Sequence, residues 1–264
     1  MASSALSRIY DALFQFEAKG QQSSYPIHKK ITIDGQGLLT WLLQQLSVTS
    51  GMRILDAGCG TGHTLFTLAE ARNIEGVGLS LSPQEVRFAQ DLTSARGLDS
   101  QLDFLCRDMA AELEDLGSFD LIFGIESLKH CEDPTAVLKN LLARLRVGGV
   151  LVLLDDFLQQ PSTDDRVSAH QRYWQAPGFT TVEQLLSPLS KDWSYETKDL
   201  TAYVPAKSPW IRSLLLTGMG VLKRLAKKGG VWRTNLETYQ GALLLESLYQ
   251  AGVAGYHMIR VKAA

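Results

Sequence analysis

The sequence has few cysteines, no long apolar run and almost no net charge, and each of these absences excludes a class of protein. Its three cysteines, Cys59, Cys106 and Cys131, are far apart and form no C-x-x-C pair, so neither a disulfide framework nor a zinc site is indicated. No run of about 18 uncharged apolar residues is present, so no segment is expected to span a bilayer. With 26 basic and 28 acidic residues, the formal net charge of −2 provides no bulk attraction to nucleic acid.

The N-terminal segment also lacks the apolar core of a secretory signal, because Arg8, Asp11 and Glu17 interrupt its apolar positions. We therefore expect a cytoplasmic protein that is a monomer or a homodimer, with no metal site and no nucleic-acid partner. The chain of 264 residues, 45% of them hydrophobic, is long enough to bury one large core and to carry a subdomain.

What is present is a regular alternation of short apolar strands and amphipathic helices between residues 49 and 156. Strands are predicted at 53–56, 74–79, 102–106, 119–124 and 150–154, and helices at 64–72, 83–96 and 134–145. Such an alternation predicts the α/β class, with a doubly wound, mainly parallel sheet covered by helices on both faces.

Three further segments flank this core of residues 49–156. Residues 1–48 are predicted as an N-terminal helical cover, and residues 241–264 as a final helix and strand that complete the sheet. Residues 157–240 contain five of the eight prolines, four of the five tryptophans and no clean βαβ unit. We therefore predict that this segment is a cap inserted between core elements.

The most informative local motif is the run D-A-G-C-G-T-G, which starts at Asp56 where a strand turns into a helix. Gly58, Gly60 and Gly62 let the backbone pass close to a ligand, as in nucleotide-binding folds. Nicotinamide-dependent oxidoreductases use G-x-G-x-x-G for the same steric reason, but here the third glycine comes one residue early. They also need an acid after the second strand, and none is found there.

The spacing of Asp56, Gly58, Gly60 and Gly62 resembles motif I of the class I S-adenosylmethionine-dependent methyltransferases. The resemblance implies that this loop wraps the aminoacyl end of S-adenosylmethionine (SAM), with S-adenosylhomocysteine (SAH) as product. In that family an acid after the second strand holds the ribose, but here Ser80 stands in its place and binds hydroxyls more weakly. The surrounding G-L-S-L-S-P is similar to the tocopherol, sterol, cyclopropane-fatty-acid and isoprenoid C-methyltransferases.

The resemblance implies further cofactor contacts. Leu81 is expected to stack on one face of the adenine, Asp108 to accept from the adenine amino group, and Met109 to pack on the ring. Asp108 has an alternative role as the cap of a short helix over 109–113. Candidates in the N-terminal segment, which family members fold over the cofactor, are Tyr10, Tyr25 and His28. A helix that only covers the sheet edge explains these three residues as well.

Glu126 and His130 are the candidate catalytic residues. They follow the fourth strand in an E-S-x-x-H pattern that resembles tocopherol-type enzymes, and ligands collect beyond the carboxyl ends of such strands. If the acceptor is an alkene carbon, Glu126, which also borders the cofactor, stabilises the cation or accepts its proton. If the acceptor is a hydroxyl or an amine, His130 is the natural base. Of Asp155 and Asp156 at the next strand end, at most one is expected to face the pocket.

The cap segment adds two features with open roles. Its many aromatic side chains suit an apolar acceptor or form a core of their own. The apolar stretch 211–222 is followed by four basic residues, which suit a peripheral contact with a membrane, a diphosphate or a solvated helix end. We predict a methyltransferase that acts on carbon in a small, hydrophobic, isoprenoid-like or natural-product acceptor. O- or N-methylation by His130 and a non-catalytic cofactor-binding protein are the alternatives.

Overall fold

The computed structural model describes residues 7, 10, 11, 14, 31–226 and 230–263. The strands in chain order are β1 (Thr32–Ile33), β2 (Gln36–Gly37), β3 (Arg53–Ala57), β4 (Glu75–Ser80), β5 (Leu102–Cys106), β6 (Phe119–Ile125), β7 (Leu145–Leu158), β8 (Trp193–Asp199) and β9 (Ala254–Ala263). The helices are α1 (Leu38–Gln44), α2 (His63–Ala71), α3 (Pro83–Ala95), α4 (Pro134–Leu142), α5 (Asp165–Trp174), α6 (Val182–Leu186), α7 (Pro209–Leu225) and α8 (Val231–Gln250). Short 3₁₀ turns lie at Glu114–Leu116, Leu128–His130 and Thr201–Tyr203.

Seven strands form one sheet in the order β5-β4-β3-β6-β7-β9-β8. The five strands β3 to β7 are parallel, whereas β9 runs antiparallel between β7 and β8. Helices cover both faces, so the predicted doubly wound α/β fold is confirmed. The chain order reverses direction at β3, and a crevice at such a switch point is where ligands bind in open α/β sheets.

Side-chain alternation along the strands creates two separate cores. Ile54 and Leu55 are neighbours on β3 and are both fully buried, but they belong to different clusters on opposite faces. The first cluster packs under α2 and α3, for example through Phe66, and the second packs under α4, for example through Leu138. The sheet is therefore a rigid middle layer whose strand ends hold the loops between them in fixed positions.

Local chemistry fixes where the helices that border those loops begin. The Ser82 hydroxyl accepts from the Glu85 backbone N–H at 3.2 Å, and Pro83 occupies the first turn of α3. At α4, the Asp133 carboxylate accepts from the Ala136 backbone N–H at 2.9 Å. Both helices therefore start immediately after a strand end and its loop.

The structure differs from the sequence prediction around β7 and β8. The predicted helix 134–145 ends at Leu142, because β7 starts at Leu145 and continues through Gly148 and Gly149, where its pairing with β6 shifts register. Strand β8 lies inside the predicted cap segment 157–240 and forms the sheet edge. The division into core and cap stays a prediction.

None of the helices in the described ranges has both the length and the apolar character that a membrane span requires.

Candidate functional site

The carboxyl ends of β3, β4, β5 and β6 lie side by side at one edge of the sheet. Most of the candidate residues from the sequence lie here, because they are at the ends of these strands or in the loops that follow them. The candidate site residues at this edge are Asp56, Gly58, Gly60, Gly62, Ser80, Leu81, Asp108, Met109, Glu126 and His130. Tyr25 and His28 lie outside the described residues.

The glycine loop after β3 has a backbone that other residues adopt only with strain. Gly58, Gly60 and Gly62 have φ values of +98°, +53° and +80°. A Cβ atom on Gly58 would lie 2.4 Å from Cβ of Ser127, and one on Gly62 would lie 2.6 Å from the Phe104 ring. The loop therefore needs glycine for its own packing as well as for any ligand.

Asp56 is a buried acceptor below this loop. Its side chain is only 2% exposed, and burial raises the pKa of the carboxyl to about 7, although a hydrogen bond with Thr64 opposes the shift. Its Oδ2 atom has no hydrogen-bond partner in the part of the chain that the structure describes. An unsatisfied buried acceptor is costly, so this oxygen is suited to a donor that a ligand brings.

Glu85 is a second buried carboxyl, and the sequence prediction missed it. Ser80, in the position of the expected acid, donates from its hydroxyl to Glu85 Oε2 at 2.7 Å. The other oxygen, Glu85 Oε1, is buried and has no partner among the described residues. The pKa of this carboxyl is raised to about 7. Burial is the largest cause and Asp11 adds to it, whereas the hydrogen bond from Ser80 opposes the shift. A buried carboxyl from α3 is thus hydrogen-bonded to the residue that stands where the acid was expected.

One sequence feature could have indicated Glu85. Ser82 and Glu85 have the S-x-x-E spacing of a capping box, in which the glutamate turns back toward the start of its helix. Here the Glu85 carboxylate accepts from Ser80 instead of the Ser82 backbone. Asp56 and Glu85 both raise the pKa of the Cys59 thiol, after the larger effect of burial, so both carboxyls lie near Cys59.

The loop after β5 closes over the glycine loop. The terminal methyl of Met109 lies 3.4 Å from the position that a Cβ on Gly58 would occupy. Asp108 Oδ1 accepts from the Ala110 backbone N–H at 2.9 Å and so holds a turn, and the alternative helix over 109–113 does not form. Leu81, after β4, is half-buried.

Residues of the N-terminal segment reach both halves of the site. Asp11 Oδ1 accepts from the Ser82 hydroxyl at 2.6 Å, and the Tyr10 ring meets the His130 ring edge-on at 5.7 Å between centroids. The pKa of Tyr10 is raised, first by burial and then by nearby carboxylates that include Glu85 and Glu126, while Lys129 opposes the shift. Tyr10 therefore lies close both to Glu85 and to Glu126.

Glu126 is held by two strands that are distant in sequence. Its backbone N–H donates to the Leu154 carbonyl at 2.7 Å, and its φ of +53° is in the left-handed region, which costs a non-glycine residue about 1 kcal/mol or more. The phenol of Tyr256, which is fully buried on β9, donates to Glu126 Oε1 at 3.0 Å. The carboxylate is thus fixed in one direction at the strand end.

Lys129, Asp155 and Asp156 form a buried charged cluster near Glu126. Lys129 Nζ is 2.6 Å from Asp156 Oδ2 and 3.0 Å from Asp155 Oδ1, and the Tyr249 phenol donates to Asp156. Burial disfavours the ammonium form, but the two carboxylates raise the pKa of Lys129 above its ordinary value. Although adjacent on β7, Asp155 and Asp156 both contact Lys129. The cluster has one cation for two carboxyls, and burial together with Asp156 raises the pKa of Asp155, although Lys129 opposes the shift.

His130 lies in the same loop as Glu126, but its pKa is not that of an efficient base. Its Nδ1 is 2.8 Å from the Gln175 carbonyl, which only accepts, so Nδ1 carries the proton. Burial, with a further contribution from Lys129, lowers the pKa of His130 to about 3. Its Nε2 is buried and has no hydrogen-bond partner in residues 31–226, 230–263 or the four described N-terminal positions.

Within the described ranges, no three His, Cys, Asp or Glu side chains are grouped as a metal site would require.

Comparison with known proteins identifies the family. A family profile described as "Methyltransferase domain" matches residues 48–214. An O-methyltransferase of Aspergillus nomiae is 32% identical over 144 residues, which are 54% of this chain and 64% of that protein. A 2-methyl-6-phytyl-1,4-hydroquinone methyltransferase of Synechocystis is 29% identical over 178 residues, covering 62% of this chain and 54% of that protein. The match thus spans less than two thirds of each relative.

The fold has a full-length counterpart among solved structures. Geranyl diphosphate C-methyltransferase from Streptomyces coelicolor, solved with Mg²⁺, geranyl diphosphate and SAH, superposes with a TM-score of 0.68, at 16% identity over 100% of this chain and 98% of that chain. At that identity the likeness concerns the fold. The resemblance to class I methyltransferases is nevertheless confirmed, because the family profile covers more than half of the sequence. The chain belongs to the methyltransferase-domain family.

Proposed function

We propose that this protein transfers a methyl group from SAM to a carbon atom of a small, apolar acceptor of isoprenoid or natural-product type. The proposal has two parts, which are the donor site around Asp56 and Glu85 and the acceptor site around Glu126. The main support for carbon as the methylated atom is the hydrogen bond from Tyr256 to Glu126 Oε1, 3.0 Å long, which orients this carboxylate.

The donor site offers acceptors where SAM offers donors. Asp56 Oδ2 and Glu85 Oε1 are buried oxygens that lack partners in the described chain. Asp56 is on β3, and Glu85 is hydrogen-bonded to Ser80 at the end of the neighbouring strand β4. Hydroxyl and ammonium groups of a ligand satisfy such oxygens. Ser80 orients Glu85, and Leu81, Asp108 and Met109 are the side chains we assign to the adenine. When bound, SAM supplies an electrophilic methyl group on a sulfonium sulfur.

The acceptor side is suited to a positive charge. Methyl addition to an alkene carbon leaves a cation on the acceptor, and a fixed carboxylate stabilises that charge without reorganising. Glu126 is so fixed by the hydrogen bond from Tyr256. We assign to Glu126 the stabilisation of the cation and the acceptance of the proton that leaves it.

Methylation of a hydroxyl or an amine with His130 as base is the second candidate. The lone pair on Nε2, which has no partner among the described residues, favours it. The pKa of about 3 opposes it, because efficient general bases have pKa values near the operating pH. The Aspergillus relative is named an O-methyltransferase, whereas the Streptomyces structure is named a C-methyltransferase.

Two measurements test the proposal. Calorimetric titration is expected to show binding of SAH and no binding of NAD, and the reverse result would contradict the donor site. Turnover is then measured with methyl-deuterated SAM against geranyl diphosphate, a prenylated hydroquinone and a simple phenol. We expect the label on carbon in one of the first two substrates. Label found only on oxygen would favour the second candidate, and SAH binding without turnover of any acceptor would favour a non-catalytic protein.

A further inference from the structure

The part of the chain that exposes most apolar surface is residues 200–236, which we call the basic apolar segment. Of the eleven large apolar side chains that are exposed among the described residues, nine belong to α7, to α8 or to the turn before them. These nine are Tyr203, Trp210, Leu214, Val221, Leu222, Leu225, Val231, Trp232 and Tyr239. Tyr239 lies three residues beyond the end of the segment, on α8. A concentration of exposed apolar side chains in one segment is typical of an interaction site.

Helix α7 has an apolar face that nothing in the described chain covers. The single buried residue of its 17 is Arg212. Trp210, Leu214, Val221 and Leu225 recur at spacings of four and seven residues, which places them along one face of the helix. Trp210 is 70% exposed and Leu225 is 81% exposed. A globular helix normally buries such a face.

Charge in this segment has one sign. Residues 200–236 contain seven lysines and arginines and no acidic residue, so all 28 acidic residues of the chain lie elsewhere. Arg224 is exposed beside the apolar face, and Lys227 and Lys228 follow in the sequence. Lys207 pairs with Glu246 and Arg233 with Glu237, which offsets part of the charge. Of the other described basic residues, Arg212 is buried, Lys223 donates to Tyr173 and Gln240, and Arg224 is exposed. By sequence, the segment is therefore positive on a chain whose formal net charge is −2.

The combination of apolar and basic groups selects the occupant. Two copies of the chain joined through this face would bring two positive segments together, which is unfavourable. An anionic bilayer surface instead offers negative headgroups to the basic residues and an acyl boundary to the apolar ones. Trp210 and Trp232, which is 77% exposed, are aromatic side chains of the kind that anchor at such a boundary.

We propose that the basic apolar segment binds the surface of a bilayer that contains anionic phospholipids, without crossing it. The association places α7 and the start of α8 against the headgroups, with Trp210 and Trp232 inserted at the acyl boundary. It requires no turnover and does not depend on which acceptor is methylated.

The test is sedimentation of the full chain with vesicles of phosphatidylcholine and phosphatidylglycerol in equal parts, and with vesicles of phosphatidylcholine alone. We expect binding to the mixed vesicles, weaker binding as NaCl rises, and a blue shift of tryptophan fluorescence in the bound state. Trp210→Ala and Trp232→Ala should each weaken binding about tenfold, and Arg224→Gln should weaken it about fivefold.

Matched controls keep the result interpretable. Tyr195→Ala removes an exposed aromatic side chain on β8, and Lys139→Gln removes an exposed charge on α4, so neither should alter binding. Circular dichroism and the melting temperature show that each variant folds. Equal binding to both vesicle types, equal binding by the Trp210→Ala/Trp232→Ala variant, or a dimer in solution that this double variant dissociates would overturn the proposal.

Discussion

The Tyr256 phenol and the Glu126 carboxylate are joined by a hydrogen bond of 3.0 Å across 130 positions of sequence. Tyr256 is on β9, which is antiparallel to its neighbours, and Glu126 follows the parallel strand β6. The last strand therefore does more than join β7 to the edge strand β8, because it sets the direction of the candidate catalytic carboxylate. This places Tyr256 as a positioning residue that acts through Glu126.

Replacing Tyr256 by Phe tests that role. The ring stays in its buried place while Glu126 loses its donor, so we expect kcat to fall about tenfold, as for one lost hydrogen bond to a charged group. The dissociation constant of SAH should stay within twofold, roughly the measurement error, since the donor site is elsewhere. Tyr195→Phe on the exposed edge strand is the control. An equal loss of SAH affinity would indicate a general structural role.

Glu85 is expected to govern cofactor affinity. Glu85→Ala removes the carboxyl that Ser80 orients, and should weaken SAH binding about tenfold or more, as for a lost hydrogen bond to a buried group. Glu85→Gln keeps an acceptor oxygen but loses the charge, so it should bind SAH more tightly than Glu85→Ala and more weakly than the unaltered protein. Glu75→Ala, exposed at the start of β4, should have no effect. The assignment fails if Glu85→Ala binds SAH as the unaltered protein does.

Cofactor affinity should rise with pH between about 6 and 8, since burial raises the pKa values of Asp56 and Glu85 to about 7 each. A ligand that donates to a carboxylate lowers its pKa, so the complex holds fewer protons than the free protein. Binding below pH 7 should therefore release protons, seen by calorimetry as a heat that depends on the buffer. Glu85→Gln should remove part of the dependence. Affinity that falls with pH would contradict this assignment.

Lys129 is expected to matter for stability. Lys129→Met leaves Asp155 and Asp156 buried without their cation, and breaking such a pair costs about 3–5 kcal/mol. Urea unfolding of this variant is compared with that of Lys139→Met, an exposed lysine on α4 whose loss should change the free energy of unfolding by less than about 0.5 kcal/mol. Equal midpoints for the two variants would show that the buried cluster does not stabilise the fold.

The parts of the fold that the sequence predicted are those with strong apolar periodicity. Strands β3, β4 and β6 are largely buried, whereas the edge strand β5 has buried and exposed residues, and the predicted bounds of all four agree within one residue. Strand β8 escaped prediction because it lies at the sheet edge and six of its seven residues are exposed, which leaves no alternation to detect. The predicted helix 134–145 was too long by three residues, because β7 starts at Leu145 and continues through Gly148 and Gly149 with a register shift.

The candidate site was predictable only where all residues of a motif are close together in the sequence. The glycine loop is local, so its spacing sufficed. Glu85 depends on the fold of α3 over Ser80, and Tyr256 reaches Glu126 through strand pairing that no local pattern encodes. The low pKa of His130 likewise arises from burial and from Lys129, which are tertiary effects.

Carbon methylation through Glu126 is tested most directly by kcat of two variants measured with the same acceptor. Glu126→Gln keeps the size of the side chain and removes its charge, so we predict a loss of about a hundredfold or more, as for one electrostatic group in a transition state. His130→Gln should lower kcat by less than about threefold, because a group with a pKa near 3 contributes little as a base. The opposite ranking, with His130→Gln inactive and Glu126→Gln active, would contradict the account.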